Sequence, residues 1–340
     1  MKAARIEGKR RLDIVEIEKP VGNEEDVIIK VGKVGICGTD LHYWEEGDQN
    51  KGWILGHEFS GEVMDPGDRE DLSQGDRVLV IPGNPCGECY ACENDMPNQC
   101  PNALNSVGNG IDGAFSEYVI VRSDVVLPIP EEVSNEEAAM IEPSAVALHA
   151  AHVADIKEGQ KVLIAGGGII GILTAMWAKK LGASYIGLAE ANEVRLKKAA
   201  QNDFVDITLN ARDENYIQNA IDAAGGVGFD IYIDCVGNSN ALNSNIFTLK
   251  PAGKIVMAGF PIVNLSVDIK NFVQKELQMK GSFGYEVNDI IANVGAICRG
   301  DINLAQFITK EIALEDVQKT FEDLSSQTTE DVKVLIDLSK

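Results

Sequence analysis

The chain has 340 residues, 45% hydrophobic and 24% charged, with 33 glycines. That is the composition of a globular protein, long enough for two domains with a core each. Its 53 acidic and 30 basic residues give a net charge of −23, a field that repels nucleic-acid phosphates and anionic membrane surfaces and leaves a neutral small substrate unaffected.

Met1–Pro20 alternates charged and apolar residues and has no apolar run of the kind a signal peptide needs, so a cytoplasmic location is expected. The first third then reads as β-rich. Short apolar or alternating runs at Val27–Val31, Phe59–Val63, Arg77–Ile81 and Phe115–Val121 are separated by Gly, Pro and Asp turns.

Between them lies Pro82–Gly113, rich in Cys, Gly, Asn and Pro. A loop of this length needs an anchor of its own. Four of the seven cysteines fall there, as Cys86-x2-Cys89-x2-Cys92-x7-Cys100. An odd cysteine total without a secretion signal argues against a disulfide scaffold. Four thiolates at these spacings close a tetrahedron around Zn²⁺ with no open position, as structural zinc sites do. Zinc binding worth roughly 10–16 kcal/mol in small peptides can order such a loop where burial does not. An iron–sulfur centre is a rival, although its usual run has three residues before the last cysteine instead of seven; disulfides or idle thiols are another.

Near Glu142 the texture changes to alternating strands and helices, the mark of parallel βαβ units. Strands are predicted at Lys161–Ala165, Tyr185–Ala189, Phe229–Cys235 and Lys254–Ala258, and helices at Ile169–Leu181, Glu193–Gln201 and Asn240–Leu249. Val162–Ala178 is seventeen residues without a charge, short for a membrane span and interrupted by glycines; it reads as a buried strand, a tight turn and a buried helix. The last sixty residues return to mixed helix and short strands.

The turn in that stretch is Gly166-Gly167-Gly168-Ile169-Ile170-Gly171, a G-x-G-x-x-G placed between strand and helix, and Glu190 ends the next strand nineteen residues beyond Gly171. This is the dinucleotide fingerprint of a doubly wound parallel-sheet (Rossmann) domain. Gly166 permits the turn, Gly168 lets backbone approach the pyrophosphate, and Gly171 lets the helix pack on the sheet. Ile169 and Ile170 open the helix whose free N–H groups face the phosphates. Glu190 accepts from the ribose hydroxyls and repels a 2′-phosphate, which predicts NAD over NADP. Arg195 completes the cofactor-binding set. The alternative is a plain tight turn with Glu190 as a surface acid.

Two further segments are Gly35-Ile36-Cys37-Gly38-Thr39-Asp40-Leu41-His42 and Gly56-His57-Glu58. With the four-cysteine lobe, Ile141-Glu142-Pro143 and the glycine fingerprint following in this order, the whole chain resembles the medium-chain zinc alcohol dehydrogenase family. The resemblance implies a GroES-like, β-rich catalytic domain at 1–144, with a zinc lobe at 84–102, an NAD-binding domain at 145–281, and a return to the catalytic domain at 282–340. It implies a second, catalytic zinc on Cys37 and His57, with Glu58 as ligand or close neighbour and Glu142 at the family's next ligand position. A glutamate there looks like the polyol, threonine and butanediol dehydrogenase branch. The metal would act as a Lewis acid on the substrate oxygen while hydride passes to or from nicotinamide. By the same resemblance Thr39 takes the alcohol proton and relays it to His42, and Asp40 fixes the tautomer of His57.

The expected substrate is a secondary alcohol, a vicinal diol, polyol or similar hydroxy compound, interconverted with its ketone. The aromatic residues Tyr43, Trp44, Phe115 and Tyr285 are pocket candidates. Ser282-Phe283-Gly284-Tyr285 has Gly284 where sorbitol-type enzymes carry an Arg, which points toward butanediol dehydrogenases and keeps threonine oxidation open. A zinc-free reductase of the same fold and a non-enzymatic NAD sensor are the remaining alternatives. The resemblance also implies a homo-oligomer, a dimer or tetramer. His149, His152, Cys235 and Cys298 are read as structural.

Overall fold

The computed structural model describes residues 1–261 and 263–340. Its contacts divide the chain into two compact units, Met1–Glu142 with Glu286–Lys340, and Pro143–Tyr285.

The first unit is built on a seven-stranded sheet. Its path runs Lys310–Ile312, Val334–Asp337, Asp26–Gly35, Glu58–Asp65, Arg77–Val80 and Val126–Pro128, with Tyr118–Arg122 also paired to Asp26–Gly35. Only the Lys310–Ile312 and Val334–Asp337 pair is parallel. Asp26–Gly35 alternates as a half-buried strand should, with Val27, Ile29, Val31 and Val34 turned into the core. The C-terminal strand fills the sheet on the other side of Asp26–Gly35, so the end of the chain completes the core begun at its start. Trp44, Phe115 and Phe321 meet edge to face in that core, with ring centroids 5.7 and 6.0 Å apart. Trp44 and Phe115 are therefore packing residues, and the expectation that they line a substrate pocket is corrected: both are fully enclosed, and the Trp44 indole donates to Gln318.

The second unit is a six-stranded, all-parallel sheet. The strands lie in the order Ile207–Asn210, Tyr185–Glu190, Lys161–Ala165, Phe229–Asp234, Leu249–Met257 and Gln278–Gly281. This 3-2-1-4-5-6 arrangement is the doubly wound dinucleotide fold, whose ligand crevice lies beyond the strand ends where the order reverses. That point is between Lys161–Ala165 and Phe229–Asp234, two largely buried strands. The uncharged stretch Val162–Ala178 is divided between the strand Lys161–Ala165 and the helix Ile169–Lys180. No helix among the described residues is long and apolar enough to cross a membrane.

The strands Lys2–Gly8, Arg11–Glu16, Ile207–Asn210 and Gln278–Gly281 and the helices Tyr216–Ala223 and Ile269–Gln274 are not among the elements expected from the sequence, and two further elements differ from expectation. The strand expected at Lys254–Ala258 begins at Leu249 and contains an irregularity: Phe229 pairs with Leu249, yet Ile231 pairs with Lys254. Pro251 has no N–H for the ladder and Ala252 has φ 58°, so the intervening residues bulge and pairing resumes after them. The second difference is a helix at Asn135–Val153 that runs through Pro143. Its start is held by Arg77, which donates to the carbonyls of Val133 and Pro130, and by Ser60, which donates to Asn135 O.

Candidate active site and metal centres

Three neighbouring strands of the first unit end side by side. Gly35, at the end of Asp26–Gly35, is paired with Glu58 on one side and Leu335 on the other. The chain leaves Gly35 through Cys37 into the helix Gly38–Glu46. Cys37, His57 and Glu58 are thereby gathered so that a ligand atom of each lies within 4.8 Å of the others. The sheet register brings together residues that are twenty positions apart in sequence.

Asp40 ties this cluster to the helix. One carboxylate oxygen accepts from Cys37 N at 2.8 Å, closing the helix N-terminus. The other lies 3.6 Å from His57 Nδ1 and makes no hydrogen bond among the described residues, although Asp40 is fully buried. Burial alone would lower the His57 pKa; the charges of Asp40 and Cys37 outweigh it and hold the imidazole well above its ordinary value. Glu142 belongs to the same field. Burial pushes its carboxyl above the usual carboxylate range, His57 and Lys333 oppose this, and Glu58 and Asp40 reinforce it. The thiol, imidazole and carboxylate of Cys37, His57 and Glu58 are donor types that zinc takes.

Thr39 and His42 are exposed on the helix Gly38–Glu46, three positions apart and so on one face. Tyr43, half-buried, packs edge to face on Trp53 at 5.5 Å. Burial, countered by His57, raises its pKa, which places Tyr43 in the field of this cluster.

Cys86, Cys89, Cys92 and Cys100 form a second group. The Sγ–Sγ separations are 3.6 Å for Cys89–Cys92 and Cys86–Cys100 and 4.0 Å for Cys86–Cys92. A tetrahedron with bonds of about 2.3 Å has edges of about 3.8 Å, so the spacing fits one zinc. It does not fit disulfides, and all seven cysteines are free. The backbone N–H of Cys86, against burial and with help from Asn102 N, pulls the Cys100 thiol down to about 6, toward the thiolate that a metal requires.

In the second unit Gly166 has φ 107° at the turn out of its strand, and a side chain on Gly171 would collide with the Gly166 carbonyl. Gly168 is different. Its φ is −79°, and an added Cβ would meet no protein atom within 4 Å. Neither backbone strain nor packing within the described residues asks for glycine there, at the N-terminus of the helix Ile169–Lys180. Glu190 crosses to this loop: its Oε2 accepts from Gly167 N at 2.6 Å and its Oε1 from Asn192 N at 2.7 Å. Asn192 caps the next helix, on which Arg195 sits half-buried.

Comparison with known proteins agrees with this geometry. Residues 23–131 match the alcohol dehydrogenase GroES-like domain model and residues 170–298 the zinc-binding dehydrogenase model. The chain is 32% identical to the sorbitol dehydrogenase of Bacillus subtilis over 99% of its own length and 97% of that protein's. This chain belongs to the zinc-binding alcohol dehydrogenase family. It is 33% identical to an L-threonine 3-dehydrogenase of Vibrio atlanticus, with 92% of each chain covered. Its fold superposes on the 2R,3R-butanediol dehydrogenase of Bacillus subtilis with a TM-score of 0.88, at 29% identity and 99% coverage of both chains. As a member of this family the protein is an NAD-dependent zinc oxidoreductase acting on an alcohol.

Two residues of this dehydrogenase escaped the sequence analysis. Lys333 lies against Glu58, 275 positions away in sequence; a lone lysine before a short apolar strand gives no local sign of that. Asp234, fully buried at the end of its strand, accepts from Val236 N at 2.8 Å and Gly237 N at 2.6 Å. It shapes the turn facing Gly166 across the sheet's reversal point. An acid ending an apolar strand before a glycine was its available signal.

Proposed function

We propose that the dehydrogenase interconverts a vicinal diol or small polyol and the corresponding ketone, with Cys37, His57, Glu58 and Glu142 around the catalytic zinc and Cys86, Cys89, Cys92 and Cys100 around a structural one. The observation that carries this is the gathering of Cys37, His57 and Glu58 within one metal's reach. The bound metal supplies Lewis-acid polarisation of the substrate oxygen.

The chain's own groups do the rest. Asp40 orients His57 through Nδ1, leaving its other ring nitrogen for the metal. Thr39, exposed at the first turn of its helix, accepts the alcohol proton, and His42 on the same face passes it to solvent. Gly166, Gly168, Ile169, Ile170 and Gly171 seat the NAD pyrophosphate, while Glu190 and Arg195 flank the adenosine ribose. We assign residues 1–144 and 282–340 to the catalytic domain and 145–281 to the NAD domain. The substrate class rests on the similarity to enzymes named for sorbitol and for 2R,3R-butanediol. Gly284, in place of an arginine that would bind extra hydroxyls, favours the shorter diols.

A cytoplasmic location belongs to the same reading, and so does a homo-oligomer, for which the edge strand Gln278–Gly281 is exposed along its whole length with Met279 outward. Following NADH formation across diols, polyols, inositols and threonine tests the substrate. The expected outcome is the highest kcat/KM on a vicinal diol. A preference for threonine instead would move the enzyme to amino-alcohol oxidation.

A further inference from the structure

Gly56, one residue before His57, is buried and has φ 97°. The segment that leaves the cysteine lobe closes on its peptide. A Cβ on Gly108 would sit 2.6 Å from Gly56 O and 3.0 Å from Gly56 N, and one on Gly113 would sit 2.6 Å from Gly56 O and 2.5 Å from Leu55 O. A Cβ on Gly56 itself would meet the Phe115 ring at 2.5 Å. Three hydrogen bonds fix the arrangement: Gly113 N donates to Ile54 O at 2.8 Å, Phe115 N to Leu55 O at 2.8 Å and Ala114 N to Gly56 O at 2.9 Å. Beyond His57 the chain is held again, because Glu58 pairs with Gly35 in the sheet. His57 therefore sits between two fixed neighbours. These contacts are made by backbone and by Phe115, not by the thiols; Val107 N ties the neck of the lobe to Pro82 O at 3.0 Å. The placement of His57 is finely balanced. Its Nδ1 stands 3.6 Å from the Asp40 oxygen that has no partner among the described residues. A displacement of about half an ångström decides whether the two bond.

We propose that Gly108, Gly113 and Phe115 are positioning residues for His57, acting through the Gly56 peptide. This rests on the assignment of the catalytic metal to Cys37 and His57. A methyl group added at Gly108 or Gly113 meets backbone atoms, and close-packed backbone yields only by moving. The displaced Gly56 peptide carries His57 with it and changes its distance to Cys37 and Asp40. The lobe thus has two separate connections: its thiols order the loop, and the glycines at its exit set the imidazole. A role in packing alone predicts a different outcome, in which the same variants lose stability and the metal site keeps its geometry.

The test uses the full-length enzyme with cobalt(II) in place of zinc. The Cys37–His57 site is read as the part of the visible spectrum that Cys37→Ser removes, and release to a chelator is timed beside a melting curve. Gly113→Ala, at a position outside the left-handed region, is expected to shift the ligand-field bands of this site and to speed release about tenfold, the scale on which residues supporting the ligands alter metal affinity. Gly108→Ala is expected to do the same. Gly110→Ala is the control for backbone strain: φ is 88° there and 78° at Gly108, but its Cβ would first meet the side-chain oxygen of Asn105. It is expected to lower Tm and leave bands and release at their wild-type values. Should the glycine variants not fold, Phe115→Leu and Phe321→Leu take their place. Both remove a ring from one core, 6.0 Å apart, and Phe115→Leu, beside Gly56, is expected to be the one that speeds release. Unchanged bands and release in Gly108→Ala and Gly113→Ala overturn the proposal, and so does an equal change in Gly110→Ala or in Phe321→Leu. A wild-type spectrum with no component dependent on Cys37 overturns the metal assignment itself and this role with it.

Discussion

Glu190 binds two backbone N–H groups, at Gly167 and Asn192, and so clasps the glycine loop to the end of the neighbouring strand. Its position fits both the ribose-recognition role read from sequence and a role in holding the loop. Replacing it removes charge-assisted hydrogen bonds worth about 1.5–3 kcal/mol each and the carboxylate that would repel a 2′-phosphate. Glu190→Ala is expected to raise the KM for NAD by about tenfold or more and to lower the NAD/NADP ratio of kcat/KM by at least as much. An unchanged cofactor ratio in steady-state kinetics would remove Glu190 from the site. Gly168 shows why the fingerprint was legible: neither φ nor packing requires this glycine, and its spacing to Gly166 and Gly171 is local. Trp44 and Phe115 show the opposite. Nothing near them in sequence distinguishes a pocket wall from a core, and Phe321, the ring both meet, is more than two hundred positions away.

Among the elements, the lobe between Pro82 and Gly113 owes least to burial. It holds only short helical turns and two two-residue strands, and its four thiols are gathered at one point. Cys89→Ser is expected to cost stability more than chemistry: a fall in Tm of roughly 5 °C or more, at about 2–4 °C per kcal/mol, with kcat of the remaining folded enzyme within a few-fold of wild type. A lost kcat with an unchanged melting curve would assign this cluster to the reaction. In the second unit the strand Lys161–Ala165 and the helix Ile169–Lys180 were legible because they form an apolar run divided by glycines, whereas the short elements Ile207–Asn210, Tyr216–Ala223, Ile269–Gln274 and Gln278–Gly281 carry no such run. The ends of elements were less legible. Pro251 reads as a stop, yet the strand starts before it at Leu249 because a bulge absorbs the missing donor. The helix Asn135–Val153 continues through Pro143, although no helix is among the elements expected before it from the sequence.

For the whole molecule, order along the chain carried the family: catalytic segment, Gly-His-Glu, cysteine lobe, Glu-Pro and glycine turn. What remained hidden was whatever depends on the sheet closing late, above all Lys333, which reaches Glu58 only because the strand Val334–Asp337 joins Asp26–Gly35. The net charge of −23 keeps the surface away from polyanions and leaves the chemistry to interior groups. Central to all of this is a metal held by Cys37 and His57. The most direct test is zinc per chain, measured on purified enzyme together with turnover. The account predicts two zinc ions in the wild type, and one in Cys37→Ser, with turnover abolished and NAD binding retained. An active wild type with a single zinc, or a Cys37→Ser enzyme that keeps both ions and its kcat, would contradict it.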